Sequence, residues 1–484
     1  MKSIICIDQG TTSSRVVAFN EHLQPLKTNQ REYSLIFPED GWVEIDISTI
    51  EKTVNEALED VISNHKNSVG FGITNQRETT LLWNKKSGLP LHNAIVWQDR
   101  RTARYCEELK SRGLESTISK KTGLVLDPYF SATKLKWLLD KYDKDRKLSS
   151  QGNVLFGTIE TFLIWQLTNR KHHFTDFTNA SRTMLCNIDT QDWDEELLQI
   201  FNIPREILPE IKSNDAFFGE FKDTSSPIHG AIGDQQGALV GQNCFKPDSM
   251  KATFGTGCFL MVNTGANRVD TKSGLLTTAG YSLEKSIAFA LEGSIFSAGT
   301  GIKWLRDNLG FFKHSTESEK LINPAWDSSG VLFIPAFAGL GAPRWQPNVR
   351  AGFYGMTANS NRADLVTSVF KALSFQVKEV LEVLRLDSVS VDVLSVDGGM
   401  TNNVSFCQML ADICDIQIKV PNYKETTILG AAKCTAIGSG FLSINNLLEM
   451  SNDAVIFNPN AKSNYQAEFV KWKELIDSVS NLTK

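Results

Sequence analysis

Twice in this chain an apolar run breaks off at a short turn of glycine and hydroxyl residues and then resumes. The first instance is ICIDQGTTSSRVVAF, Ile5 to Phe19; the second is KATFGTGCFLMV, Lys251 to Val262. Each reads as strand, tight turn, strand. Ile4 to Ile7 and Arg15 to Phe19 are short buried-strand patterns, and Gly10 admits backbone angles that other residues resist. Such a turn gathers backbone N–H groups, hydroxyl donors and one guanidinium on one side, a cradle suited to a polyanion. Asp8 closes the first strand, where a carboxylate can hold a hydrated Mg2+. On its own the stretch is equally an ordinary polar hairpin. It is not a P-loop, because no Gly-Lys-Ser/Thr follows, nor a dinucleotide fingerprint, because it leads into a strand. Its recurrence near mid-chain points to two related α/β halves that meet between Gly241 and Met250.

The remaining pattern of the 484 residues is also α/β, with room for two or three domains. Val69 to Thr74 and Thr79 to Trp83 read as strands, Thr102 to Lys110 and Ala132 to Leu139 as helices, and Val154 to Leu167 as a buried helix. Ala363 to Leu384 is one long helix with Val369, Leu373, Val377, Val380 and Leu384 on its buried face. Val391 to Val396 is a strand that turns into a helix through DGGMTNN, Asp397 to Asn403. The glycines there let a flat ring approach the backbone; the plainer reading is a tight turn with Asn402 as helix cap. Ser213 to Pro227 reads as a surface loop, and His172-His173 as a solvated pair.

Charge and cysteine usage narrow the classes. A net charge of −5, a pI of about 5.9 and no basic patch make nucleic acid and anionic membranes poor partners. No apolar run reaches membrane-spanning length, and the first strand pattern begins by Ser3, leaving no room for a signal peptide. The eight scattered cysteines form no C-x-x-C pair and read as reduced core residues of a cytoplasmic protein. The histidines show no metal-ligand spacing.

Two further stretches carry candidate chemistry. IHGAIGDQQGAL, Ile228 to Leu239, reads strand, Gly-Asp turn, helix, with Asp234 at the helix start and Gln235 and Gln236 beside it. Asp234 is either a plain N-cap, worth ~1 kcal/mol, or a base at a strand end, where open α/β sheets bind ligands. GITNQRETTLLW, Gly72 to Trp83, sets Arg77 and Glu78 between two strands, either as a solvated pair or as donors and acceptors for a small polyol. Trp97 and Tyr129 are either core or covers for the carbon face of a small polar molecule. Phosphoryl transfer to an alcohol asks for little more than a carboxylate base, Mg2+ and donors around the phosphoryl oxygens.

Together these motifs resemble the FGGY carbohydrate kinases, and within them the glycerol-phosphorylating group. DQGTTSSR, GWVEID, GITNQRET, NAIVWQDRR, DPYFSATK, NASRTML, GDQQGAL, FGTGCF, LEGSIFSAG and PAFAGLGAP follow in family order between Ile4 and about Phe441. The resemblance implies two ribonuclease-H-like domains of the actin/hexokinase superfamily, residues 1–244 and 245–484, with the active site in the cleft between them. It implies ATP and Mg2+ as cofactors and glycerol as substrate. Asp8 would hold Mg2+ through water, and Thr11, Thr12, Ser13 and Arg15 would contact the ATP phosphates. Arg77, Glu78, Tyr129, Asp234 and Gln235 would bind glycerol between Trp97 and Phe259 as apolar walls, with Asp234 as general base. Thr256 and Gly299 would approach the nucleotide phosphates from the second half, with Lys303 near the nucleotide and Gly399 and Asn403 flanking adenine and ribose. Family members are homodimers or homotetramers.

The chain also departs from the pattern. Lys303 stands where glutamine is common, and Arg344 replaces a usual tyrosine. Ser213 to Pro227 lacks the Gly, Lys and Arg run with which some members bind fructose 1,6-bisphosphate, and His229 reads as structural rather than phosphorylatable, so neither control is expected. A kinase for a pentulose or tetritol, and a non-catalytic actin-like ATP-binding protein, are the competing readings.

Overall fold

The computed structural model describes residues 2–63, 65, 68–224, 226–450, 453–460 and 465–482. β1 (Ser3–Gln9) is apolar over consecutive positions because both of its faces are covered. Ile5 and Ile7 face Ile50 and Val54 of α1 (Ile47–Ile62), while Ile4 and Cys6 join Leu239 and Ala431 on the other side. β1 pairs antiparallel with β2 (Ser13–Phe19), and β2 with β3 (Pro25–Glu32), so that Asp8 stands opposite Arg15. With β4 (Ser68–Asn75), β5 (Phe217–Glu220) and β6 (Pro227–Gly233) the sheet runs β5-β6-β4-β1-β2-β3.

The second sheet repeats this plan. β7 (Met250–Phe254) and β8 (Cys258–Gly265) form the mid-chain hairpin. They are joined by β9 (Leu276–Leu283), β10 (Ser286–Ile295), β11 (Val393–Asp397), β12 (Gln417–Pro421) and β13 (Ala454–Phe457), in the order β9-β10-β8-β7-β11-β12-β13. In each sheet the first strand of the hairpin is central, and its other neighbour runs parallel to it. The sequence recurrence is therefore a structural repeat. Parallel β1, β4 and β6 end on one side, which brings Asp8, Arg77 and Asp234 to a common edge.

Helices then tie the halves together. α2 (Asp234–Gly241) leaves β6 directly, and α3 (Gly299–Asp307) and α4 (Arg362–Leu386) belong to the second half. α4 opens with a reciprocal capping box of Asn361 and Asp364. α5 (Val404–Cys414) follows β11, and α6 (Thr426–Gly438) crosses back onto the first sheet. A Cβ at Gly430 would lie 1.9 Å from the Gly237 carbonyl oxygen, so α6 and α2 touch backbone to backbone. Ile428, Ala431 and Ala432 of α6 share one apolar cluster with Ile4, Val17, Phe19 and Leu239. All eight cysteines are buried and unpaired, and burial raises every one of their pKa values. No described helix is long and apolar enough to cross a membrane.

Four local expectations are corrected. Val154 to Leu167 is not one helix: Val154–Gly157 is a strand paired with Leu81–Asn84, and the helix starts only at Ile159. Both pieces are buried on all sides, where periodicity does not separate strand from helix. Ser213 to Pro227 is not a surface loop. Asn214 is fully buried, donating to Asp176 at 2.9 Å and to the Ala231 carbonyl at 2.8 Å, and Phe217–Glu220 is an edge strand; Ser225 lies outside the described residues. His172-His173 is not a solvated pair, because His173 bonds the Phe156 carbonyl at 2.8 Å and packs against Trp83, and burial pushes its imidazole down to about 4. The cap of α5 is Asn403, which accepts from the Phe406 N–H at 2.8 Å, rather than Asn402.

Candidate active site

The first hairpin turn is braced from beneath. Gln9 donates to the Gly10 carbonyl at 2.8 Å, Gln76 donates to the same carbonyl at 3.0 Å, and the Gly10 N–H bonds the Ser13 carbonyl at 2.9 Å. The hydroxyl-bearing turn is left open: Thr11 and Ser13 are half-buried and Thr12 is exposed. Arg15 pairs with Glu425 at the start of α6 and donates to Gln30 at 2.9 Å. Burial pushes the Asp8 carboxyl up to about 7; Arg15 pulls it down, while Glu425 and Asp234 push it further up.

At the ends of β4 and β6 lies a buried ion network. Arg77 grips Glu292 of β10 with both terminal nitrogens, at 2.6 and 3.1 Å, and its Nε lies 3.1 Å from Asp234. Arg182 donates to Glu292 at 3.0 Å and to Glu78 at 2.6 Å, and its guanidinium lies over the rings of Tyr129 and Phe130. Glu78 holds a positive φ of 60°, a strained state for a residue with a side chain, and its carbonyl is fixed by Thr80 at 2.9 Å and Ser131 at 3.0 Å. Burial alone would raise the Glu292 carboxyl, but Arg182 and Arg77 hold it down at about 2. Burial raises Glu78 and Asp234, against the pull of Arg77 on both. The side chains of Arg77, Glu78, Arg182 and Glu292 are at most 2% exposed, whereas Asp234 is 30% exposed. Asp234 is therefore the member of the network that opens to the cleft.

Beside the ion network stand apolar rings and one amide. Trp97 donates from its indole to Thr11 at 3.0 Å, and its ring meets Tyr129 at 5.7 Å and Phe259 at 6.0 Å. Trp97 thus links the first hairpin to the ring walls. Gln235 is buried, and its Oε1 accepts from the ammonium of Lys251 at 2.5 Å. Gln236 turns away, accepting from Arg77 at 3.2 Å and donating to the Ala279 carbonyl at 3.1 Å. Beyond Trp97 and Tyr129 opens a cavity of about 760 Å3 whose far wall is Phe296, Phe337, Leu340 and Trp345.

The second hairpin turn faces α3. The Gly299 N–H bonds the Gly255 carbonyl at 3.0 Å, and the Ala298 N–H bonds the Thr256 carbonyl at 2.9 Å. A Cβ at Gly299 would lie 2.6 Å from the Gly255 oxygen, so only glycine fits. Lys303 is exposed one turn along α3. Gly399 has open space where a side chain would project. Asn403 spends its side-chain oxygen on capping α5, and its buried Nδ2 has no partner among the described residues. Among the described residues no hydrogen bond or ion pair joins Lys303, Gly399 or Asn403 to the Arg77 network. Arg344 binds Glu379 at 2.7 Å and Asp477 at 2.6 Å, a structural tie.

Sequence reasoning missed Glu292, Arg182 and Lys251. Each lies inside an otherwise apolar or small-residue run, which is the one local sign that a buried partner is required.

Comparison with known proteins covers nearly the whole chain. Residues 3–241 match the model of the N-terminal domain of the FGGY family of carbohydrate kinases, and residues 250–439 that of its C-terminal domain. The chain is 46% identical over 446 residues to glycerol kinase 1 of Pseudomonas aeruginosa, covering 90% of each chain. It is 45% identical over 454 residues to a glycerol kinase of Clostridium botulinum, covering 92% of this chain and 91% of the other. The structure of Plasmodium falciparum glycerol kinase with ADP superposes with a TM-score of 0.90 at 36% identity, covering 100% of this chain and 98% of that one.

Proposed function

The chain belongs to the FGGY family of carbohydrate kinases, and on that premise we propose that it transfers the terminal phosphoryl group of ATP to glycerol, giving sn-glycerol 3-phosphate and ADP. The observation that carries this reading is the exposure of Asp234 alone from a buried network that includes Arg77 and Glu78. A carboxylate raised by burial, yet still held in place by a guanidinium, is suited to accept a hydroxyl proton.

Arg77, Glu78, Tyr129 and Gln235 bind the hydroxyls of glycerol, while Trp97 and Phe259 cover its carbons. Asp234 takes the proton of the terminal hydroxyl as that oxygen attacks the phosphorus in line. The hydroxyls and backbone N–H groups of Thr11, Thr12 and Ser13, with Arg15, hold the phosphates from the first half. Thr256 and Gly299 approach them from the second, and Lys303, Gly399 and Asn403 line the nucleotide side. Asp8 suits Mg2+: its carboxyl is an oxygen donor crowded by the negative charges of Glu425 and Asp234. No described group of three or more His, Cys, Asp or Glu forms a metal site from protein ligands alone, so an ion at Asp8 would keep much of its water. When bound, Mg2+ supplies charge neutralisation at the phosphate oxygens.

The same proposal assigns residues 1–244 to glycerol, metal and phosphate binding and 245–484 to the nucleotide, in a cytoplasmic homodimer or homotetramer. Light scattering on the purified protein reads the assembly state. The function itself is tested by ADP release from Mg-ATP with glycerol, xylulose, ribulose and erythritol in parallel. Turnover dependent on glycerol supports the reading; turnover with a pentulose alone replaces it.

A further inference from the structure

We propose that Lys251 is a positioning residue that fixes the side-chain amide of Gln235, so that its NH2 group faces the glycerol; this rests on the reading of the cleft given above. Lys251 lies on β7 of the second half and Gln235 on α2 of the first. The Lys251 ammonium is buried and donates to Gln235 Oε1 at 2.5 Å, to Thr253 Oγ1 at 3.1 Å and to the Phe259 carbonyl at 3.2 Å. An ammonium has three donors and no acceptor, and here it meets three acceptors. The Gln235 atom turned toward it is therefore the oxygen, although an amide torsion is otherwise broad and close to two-fold. The amide Nε2 makes no hydrogen bond among the described residues and is not sealed from the cleft, so it is left as a donor for substrate.

The charge that does this is itself supported. The buried carboxylate of Asp397 on β11 attracts the Lys251 ammonium against the cost of its burial, and Gln242, at 2.7 Å, and Thr426 donate to that carboxylate. Asp397 thus supports the charge of Lys251, which in turn holds Gln235. Because Lys251 also holds the Phe259 carbonyl, one cation from the second half sets a polar wall and an apolar wall of the same pocket.

The test is a double-mutant cycle on the full chain, using K251M, Q235A and the double variant, with KM for glycerol and for ATP measured in each. K251M should raise the glycerol KM about 10-fold, as for one lost hydrogen bond to substrate, and leave the ATP KM within about 2-fold. In the Q235A background the same change should add less than about 2-fold. Independent, multiplying effects overturn the proposal, because a purely structural role would act alike in both backgrounds. Loss of glycerol turnover in the wild type would remove the proposed function, and the neutron crystal structure of K251M, which tells amide oxygen from nitrogen, then decides this point. An amide that has turned supports it, and one unchanged in orientation overturns it. Should K251M not fold, a structure of the wild type with glycerol serves instead. A hydroxyl bonded to the amide atom facing away from Lys251 supports the proposal, and no contact there overturns it.

Discussion

Asp234 and Glu292 sit on either side of Arg77 and do opposite work. Asp234 is the exposed carboxylate proposed as the base, and D234N should lower kcat by about 10²–10⁴-fold with little change in glycerol KM, read by steady-state kinetics. Near-normal turnover would remove Asp234 from the mechanism. Glu292 is the buried counter-ion shared by Arg77 and Arg182, and E292Q leaves those two guanidinium groups only Asp234 and Glu78 as carboxylate partners. The expected loss is about 3–5 kcal/mol in urea unfolding at neutral pH. Its carboxyl is held at about 2, below the value of roughly 4.3 in the unfolded chain, so its contribution is full above roughly pH 4.3. It is lost as pH falls through about 2, and the stability gap between wild type and E292Q should close over that window. The two residues also differ in legibility. Asp234 follows a glycine at a strand-to-helix turn, a local sign. Glu292 meets Arg77 across 215 positions of sequence, and no short window holds both.

At the scale of elements, the hairpins were legible because a turn of glycine and hydroxyl residues between apolar runs has few other solutions. The long helix α4 was legible too, since its buried stripe is continuous. The strand and helix between Val154 and Leu167 were not, because a segment enclosed on all sides shows no alternation to read. The edge strand Phe217–Glu220 was hidden by the polar residues that flank it. Close contact between the second hairpin and α3 gives a further expectation. In G299A the added carbon meets the Gly255 oxygen at 2.6 Å, and the turn must move. That displacement should lower kcat/KM for ATP about 10-fold or more while the glycerol KM changes less, measured by initial rates with each substrate varied in turn.

The molecule as a whole is two repeats of one plan, each with a core of its own, joined by two further apolar clusters that draw on both halves. α6 closes the first sheet from the far end of the chain, and Arg77, Gln235 and Gln236 bond partners in the second half. Calorimetry should therefore show one unfolding transition, and residues 1–244 expressed alone should not fold, since they would expose the apolar face that α6 covers. Two well-separated transitions would contradict this. The buried thiols make the same unity countable. Eight unpaired sulfurs are spread over both sheets and the helices between them, each shielded from solvent and held protonated by its surroundings. An aromatic disulfide dye should find almost none of them in the native protein and all eight once the chain opens. The rate at which colour appears would then clock the opening of the whole enzyme, with no label added.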